Sequence, residues 1–428
     1  MNDPASSSSS SVSSTSSTAR RASRQFDVVL YGATGFVGRQ TVAYFASHPD
    51  VKASGLRWAL AGRDAGKLER VRAATPGAER AGVVVASADD MPALDVLAES
   101  SAVVLSTAGP FALYGSALVA ACVRHGTHYV DITGETPWVA GLIAQHHAQA
   151  ATNGTRIVPF CGFDSVPSDL GTYMMVQAMR QRYSVACASV KAAFRLKGGV
   201  NGGTLASLLN IMDNNQSTAL SNVFLLNLPN TQPADALAHT DPVTPVHDAD
   251  FNAWLAPFFM SAINTRVVRR SAAILGSELG YAPDFHYQEY ARVGSGVAAA
   301  VGAAALSAGT AVSQMALNVS PLRKLAAAVM PKAGSGPSVS SMDAGSFRCE
   351  LIAHGTGGQM LRGRVSDQGD PGNKATTKMV CESALCLALN FDDLPKGVNA
   401  GGVLTPATAL GNVLIKRLLS AGMTLAVD

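Results

Sequence analysis

The chain has 428 residues, 47% of them hydrophobic, with 33 Lys+Arg against 30 Asp+Glu and a formal net charge of +3. That length can bury a large core and exceeds one ordinary domain, so two domains are expected. So small a charge gives no electrostatic footprint for nucleic acid, and six scattered cysteines, with no C-x-x-C pair and no zinc-like histidine spacing, imply reduced thiols and no metal site.

Residues 1–25 are serine-rich, with Arg20, Arg21 and Arg24 at the end. Such a segment cannot build a core, and a disordered tail is expected. It lacks both the apolar stretch of a secretory signal and the amphipathic pattern of a transit peptide.

The stretch Phe26–Gly38, FDVVLYGATGFVG, follows. Val28 to Tyr31 read as a strand of parallel type, buried on both faces. Gly32, Gly35 and Gly38 then serve a tight turn, a close approach of backbone to a pyrophosphate, and tight packing of the next helix. Phe36–Ser47 is predicted to be that helix, with Val37, Thr41, Val42 and Phe45 inward. Its free N–H groups and dipole favour phosphate. Gly32, Thr34, Gly35, Phe36 and Gly38 are therefore candidate cofactor-binding residues.

A second strand is expected at Arg57–Ala61, ending in Gly62-Arg63-Asp64. In a dinucleotide fold this strand end meets the adenosine ribose. An acidic residue there binds the 2′-hydroxyl of NAD, and an arginine accommodates the 2′-phosphate of NADP. Arg63, with Lys67 one helical turn on, points to NADP, and Asp64 is expected to cap the next helix. Strands at 82–86, 102–106, 128–132 and 156–159 alternate with helices at 91–99, 116–125 and 137–153. This is the pattern of a doubly wound parallel sheet. The loops beginning at Gly32, Gly62, Gly109 and Asp131 share its carboxyl edge, where ligands bind. Gly109 and Pro110 join the cofactor candidates.

Six runs occur in order: Gly32–Gly38, Ala61-Gly-Arg63, Gly109-Pro-Phe-Ala-Leu-Tyr-Gly115, Ala121-Cys122, His128-Tyr-Val-Asp-Ile-Thr-Gly-Glu135 and Gly162-Phe-Asp-Ser-Val-Pro-Ser-Asp169. Together with Gly202-Gly-Thr204, Ser207 and Lys332–Pro337, they resemble the saccharopine dehydrogenase-like oxidoreductases, including the mycobacterial trans-acting enoyl reductases. The resemblance implies an α/β fold: an NADP-binding Rossmann domain at 26–160, an α+β substrate and dimerisation domain at 161–373, and a C-terminal helical segment at 374–428. It makes a homodimer plausible but does not imply saccharopine as substrate; the cytoplasmic location is expected from the scattered, reduced cysteines.

After Cys161 the chain turns into a helix expected over Leu170–Gln181, with Ser168 a candidate N-cap. Asp164, Ser168 and Asp169 either cap this helix or help to hold nicotinamide or substrate. A strand is predicted over Val185–Lys197, a glycine loop over 198–203, a helix from near Thr204, and an irregular surface excursion over Pro229–Ala253 containing surface histidines His239 and His247. Val297–Val312 carries no charge but is mostly alanine, too weakly apolar for a spanning helix. It reads as a packed helix, a lid or a membrane-surface element, followed by Arg323 and Lys324. A hairpin is expected around Gly355–Gly358 and a helix over Lys374–Leu389.

Several functions remain open. One is an NADPH-dependent reductase of a carbon–carbon double bond in an acyl or polyketide intermediate, carrier-bound or lipid-like, acting in the cytoplasm or at the inner face of the membrane. The developing enolate needs a donor, and Tyr114 and then Ser165 are the catalytic candidates. A second is a saccharopine-type amino-acid dehydrogenase acting on an imine, with Arg195 holding the carboxylate. A third is a non-catalytic dinucleotide-binding protein at a lipid surface.

Overall fold

The computed structural model describes residues 23–198, 217–233, 235–318, 321, 334–397 and 400–428. Most of the serine-rich tail, the glycine loop beyond Gly198, the helix expected near Thr204, Arg323–Lys324 and Lys332 lie outside the described residues.

The first layer is a seven-stranded sheet. Its strands are β1 (Phe26–Tyr31), β2 (Trp58–Gly62), β3 (Gly82–Val85), β4 (Ser101–Ser106), β5 (His128–Asp131), β6 (Arg156–Val158) and a late strand, β13 (Gly402–Val403). The order is β3-β2-β1-β4-β5-β6-β13, all parallel. Successive side chains on a strand point to opposite faces. Val28 and Leu30 therefore pack with Val42 and Phe45 of helix Phe36–Ser47 and with Met379 and Val380 of helix Thr376–Leu389. Val29 and Tyr31 pack with Leu94, Leu118, Val119 and Leu142 from the helices on the other side. Both faces are covered, which is why the strands read as unbroken apolar runs.

The second layer is a mixed sheet of order β14-β12-β11-β7-β10-β9-β8. It comprises β7 (Cys187–Lys197), β8 (Val246–Asp248), β9 (Ala253–Pro257), β10 (Tyr281–Gly294), β11 (Ser346–Gly355), β12 (Met360–Gln368) and β14 (Thr424–Val427). The hairpin of β11 and β12 lies where the sequence placed it. Helices Val166–Tyr183 and Ser261–Leu279 cover one face, against Val190, Ala192, Phe194, Cys349 and Leu351. The opposite face carries Arg195 directly across from Arg348, and Ala193 across from Glu350.

The last 55 residues stitch the layers together. Helix Thr376–Leu389 packs on β4, β5 and helix Phe36–Ser47. Strand β13 extends the first sheet beside β6, and β14 extends the second beside β12. The buried Glu382 carboxylate accepts from Tyr44 Oη at 2.5 Å and Arg417 Nε at 2.6 Å, and lies 2.9 Å from His48 Nε2. Burial pushes its pKa up, but the His48 ring, the Arg417 charge and the Tyr44 hydroxyl together bring it below the usual range. A cleft of about 660 Å³ opens beside this cluster, at the C-terminal end of helix Phe36–Ser47 and away from the glycine loop.

Two local expectations are corrected. Ser168 is not an N-cap: the helix starts at Val166, with Ser165 at the cap position and a proline in its first turn. His239 is not a surface residue. It is 3% exposed and stacked on His286 at 4.1 Å, and burial pushes its pKa down to about 4. The excursion that holds it is pinned from inside by Arg269, which donates to the carbonyls of Val223 and His239. His247 is exposed.

Candidate active site at the carboxyl edge of the parallel sheet

Strand β1 ends at Tyr31, and Gly32 adopts φ +83°, a left-handed conformation in which a Cβ would also stand 2.9 Å from the Ala108 nitrogen. The Thr107 hydroxyl donates to the carbonyls of Tyr31 and Gly32, both at 3.3 Å. The glycine loop and the loop after β4 are thereby held together. The Gly35 N–H donates to the Gly32 carbonyl at 3.0 Å. A Cβ on Gly38 would lie 2.1 Å from that same oxygen, so the helix can approach the strand only with glycine there. Gly35 differs: its missing side chain faces only the Gly32 oxygen, at 3.3 Å, and otherwise open space.

Gly35 caps helix Phe36–Ser47 without a side-chain hydrogen bond, and the first turn holds no acidic residue. Arg39 reaches back to donate to the Thr34 carbonyl at 2.8 Å. A bare helix N-terminus beside an uncrowded glycine fits a dinucleotide pyrophosphate. From the far end of the sequence, Gly336 is packed over Phe36 so closely that a Cβ would meet the ring at 2.5 Å.

Arg63, exposed, follows the end of β2. Asp64 caps the next helix, accepting from the Lys67 N–H at 2.9 Å, and the Lys67 ammonium lies 3.6 Å from the same carboxylate. Lys67 is thus drawn toward Asp64. The Ser87 hydroxyl, and to a lesser extent the Arg63 charge, hold Asp89 below its usual pKa. Asp89, in the loop after β3, thus lies within electrostatic reach of Arg63.

The loop after β4 runs through a cis Gly109–Pro110 bond into a short helix, Phe111–Tyr114. Its first N–H groups are taken by the buried Glu135: Phe111 N donates to Oε1 at 2.7 Å and Ala112 N to Oε2 at 2.9 Å. The Tyr114 side chain at the end of this helix is 42% exposed.

Asp131, at the end of β5, accepts from Thr133 N at 3.0 Å, Phe160 N at 3.2 Å and Tyr129 Oη at 2.9 Å. Its burial pushes the carboxyl up to about 7. Phe160 adopts φ +65°, a strained conformation for a bulky residue, at the start of the run leading to Asp169. On the other side, Phe163 N donates to Thr376 Oγ1 at 3.1 Å. Between these anchors sits Asp164. Its Oδ2 would lie 3.3 Å from a Cβ on Gly134, and no hydrogen-bond partner is found for it among the described residues. It is partly buried, and that burial alone raises its pKa to about 6.

Ser165 is turned inward, and its hydroxyl donates to Asn264 Oδ1 at 3.2 Å. Asn264 Nδ2 donates to Glu289 Oε1 at 2.9 Å, and Ser168 and Tyr287 donate to Glu289 Oε2 at 2.8 and 2.9 Å. Asp169 accepts from the Ser271 hydroxyl and from Ala407 N, joining helices from three parts of the chain. Arg195 stands on the sheet face opposite Phe194, whose ring meets Phe163 edge-on at 6.1 Å. Asn264, Glu289 and Thr376 escaped the sequence reading, because each acts on this region from a distant, motif-poor segment; Gly336 falls in the Lys332–Pro337 run, but nothing local announces its packing on Phe36.

The parallel sheet, the glycine loop and the polar loops on its carboxyl edge define a dinucleotide-binding domain of Rossmann type. The saccharopine dehydrogenase NADP binding domain matches residues 28–158. A Mycobacterium tuberculosis protein named as a trans-acting enoyl reductase is 38% identical over 420 residues, covering 94% of this chain and 97% of its own. The trans-acting enoyl reductase of Mycobacterium leprae is 37% identical over 422 residues, with the same coverage. The chain belongs to this saccharopine dehydrogenase-like oxidoreductase family. The apo saccharopine dehydrogenase (L-Glu forming) of Saccharomyces cerevisiae aligns with 94% of this chain and 99% of its own, at 12% identity and a TM-score of 0.46.

Proposed function

We propose that this protein is an NADPH-dependent reductase of a carbon–carbon double bond in an acyl or polyketide intermediate, presented by a carrier. The observation that carries the reading is the extent of the likeness: relatives named as trans-acting enoyl reductases match 94% of the chain, through the second sheet as well as the first. Gly32, Thr34, Gly35, Phe36 and Gly38 would hold the pyrophosphate, Gly109 and Pro110 would border the nicotinamide half, and Arg63 would take the 2′-phosphate. Lys67, tied to Asp64, is the weaker second cation. NADPH, when bound, supplies the hydride. Tyr114 is the exposed hydroxyl available to donate to the substrate carbonyl as negative charge gathers there. Ser165, whose hydroxyl is committed to Asn264, would position the second domain's polar network.

The uncharged helix Val297–Asn318 supports an apolar substrate. It lies on β9 and β10, with Val297, Val301, Val312 and Met315 each more than 60% exposed. No helix among the described residues is long and apolar enough to cross a membrane. The helix would shield an acyl chain or meet a lipid surface at the inner face of the membrane. A cytoplasmic homodimer remains part of this reading.

The test is NADPH oxidation against enoyl thioesters, imino acids and ketones. Turnover confined to enoyl thioesters supports the proposal. Turnover confined to imino acids replaces it with the amino-acid dehydrogenase reading, and cofactor binding without turnover of any substrate with the non-catalytic one.

A further inference from the structure

The turn between β6 and helix Val166–Tyr183 is held at every point but one. Asp131 takes the N–H of Phe160, Thr376 takes that of Phe163, and Ser165 is fixed on Asn264. Gly162 is closely packed, since a Cβ would meet Thr376 at 3.2 Å. Asp164 alone has a side chain without a partner among the described residues. It stands at the carboxyl edge beside Gly134, with Ile263 also against that glycine. The neighbouring acids are accounted for: Asp131, Glu135 and Asp169 each accept two or more hydrogen bonds from the protein. A rigid loop that spends its strain presenting one unpaired carboxyl is built to use that carboxyl on a ligand.

We propose that the Asp164 carboxyl is the catalytic acid, giving its proton to the α-carbon of the substrate double bond. This rests on the enoyl reductase reading. With NADPH as reductant, the double bond gains a hydride at the β-carbon and a proton at the α-carbon. The Asp164 O–H bond breaks, an α-carbon C–H bond forms, and the carboxylate is reprotonated by water. A part-buried acid whose carboxylate receives no hydrogen bond from the described residues stays protonated closer to neutral pH than an exposed one, and entry of an apolar acyl chain strengthens that effect.

The experiment pairs wild type with Asp164→Asn. In cofactor-free protein, difference infrared titration should show a carboxyl signal titrating near pH 6 that disappears in the variant. NADPH affinity, read by fluorescence, should stay within about threefold, while enoyl thioester turnover should fall by roughly 10²–10⁴, the usual range for a general acid. The wild-type rate should decline as pH rises above that titration, and the variant should lack this limb. In D2O the wild type should label one face of the α-carbon, and the residual product of the variant both faces. If the variant turns over normally with single-face labelling, or if the wild type shows no titration of this carboxyl, the assignment is overturned. If the wild type binds NADPH but reduces no enoyl thioester, the reductase reading fails and takes the acid with it. Should the variant not fold, the wild-type titration, pH profile and labelling decide by themselves.

Discussion

A Cβ on Gly38 would stand 2.1 Å from the carbonyl oxygen of Gly32, while one on Gly35 would meet nothing nearer than 3.3 Å. The two glycines of one loop therefore answer to different demands, the first to packing and the second to space for a ligand. Gly38→Ala should push the helix off β1, cost about 1–3 kcal/mol as overpacking does, and lower the melting temperature. Gly35→Val should leave melting nearly unchanged but abolish dinucleotide binding in titration calorimetry. A folded Gly35→Val protein with wild-type affinity would make the loop purely structural.

Arg63 is the basis for preferring NADPH. Arg63→Ala should weaken NADPH by about 1.5–3 kcal/mol, the worth of a charge-assisted hydrogen bond, and leave NADH nearly unchanged. Asp89, within electrostatic reach of Arg63, opposes a phosphate there, so Asp89→Asn should tighten NADPH modestly. Equal affinity of the wild type for both cofactors would remove Arg63 from this role.

The first sheet was legible because its signals are local. Apolar runs, turn glycines and Asp64 as a cap all act within a few residues. The ends of β1, β2 and β4 accordingly fall close to where the sequence placed them, and the loops expected at the carboxyl edge are there. What the sequence hid was long-range. Gly402–Val403 is too short to announce a strand, yet it pairs with β6. Glu289, on a strand of alternating residues, gives no sign that Ser168, Tyr287 and Asn264 converge on it. His239 lay in a polar segment that reads as surface until Arg269 is seen anchoring it from within.

Glu289 also sets a pH dependence. Burial pushes its carboxyl up to about 7 from an ordinary 4.5, although three donors pull the other way. A folded-state pKa above the unfolded one means that the folded form holds the extra proton. Its stabilising contribution is complete below about pH 4.5 and is lost as pH rises through about 7. Asp131 and Asp169, both pushed to about 7, act in the same direction. Glu382, held low, loses its contribution only on acidification below its ordinary range and adds no slope here. His239, pushed down to about 4, opposes the raised carboxyls as pH rises to its ordinary 6.5 and adds no slope above it. The melting temperature should therefore fall between about pH 6.5 and pH 8, and Glu289→Gln should flatten that decline. A profile that rises over this interval would show that these carboxyls are ionised without cost.

The helix Val297–Asn318 offers the sharpest test of how an apolar substrate is handled. Among its described residues it is attached along a narrow stripe, with Ala303 and Ser307 buried and Gly302 against Val293. Around that stripe most of its side chains are exposed and none is charged. Small residues bury little apolar area, so replacing Val297–Ala308 with a Gly/Ser linker should cost only roughly 1–2 kcal/mol of stability. NADPH binding should be unaffected, because the glycine loop and Arg63 belong to the other sheet. An acyl chain, by contrast, would lose its cover from water, and the loss grows with each methylene left exposed, about 0.8 kcal/mol apiece. Turnover of long-chain enoyl thioesters should therefore fall more steeply than that of short ones, or binding to liposomes should weaken where the helix serves a lipid surface instead. Unfolding on replacement, seen by circular dichroism, would make the segment an ordinary structural helix and end its role as a lid.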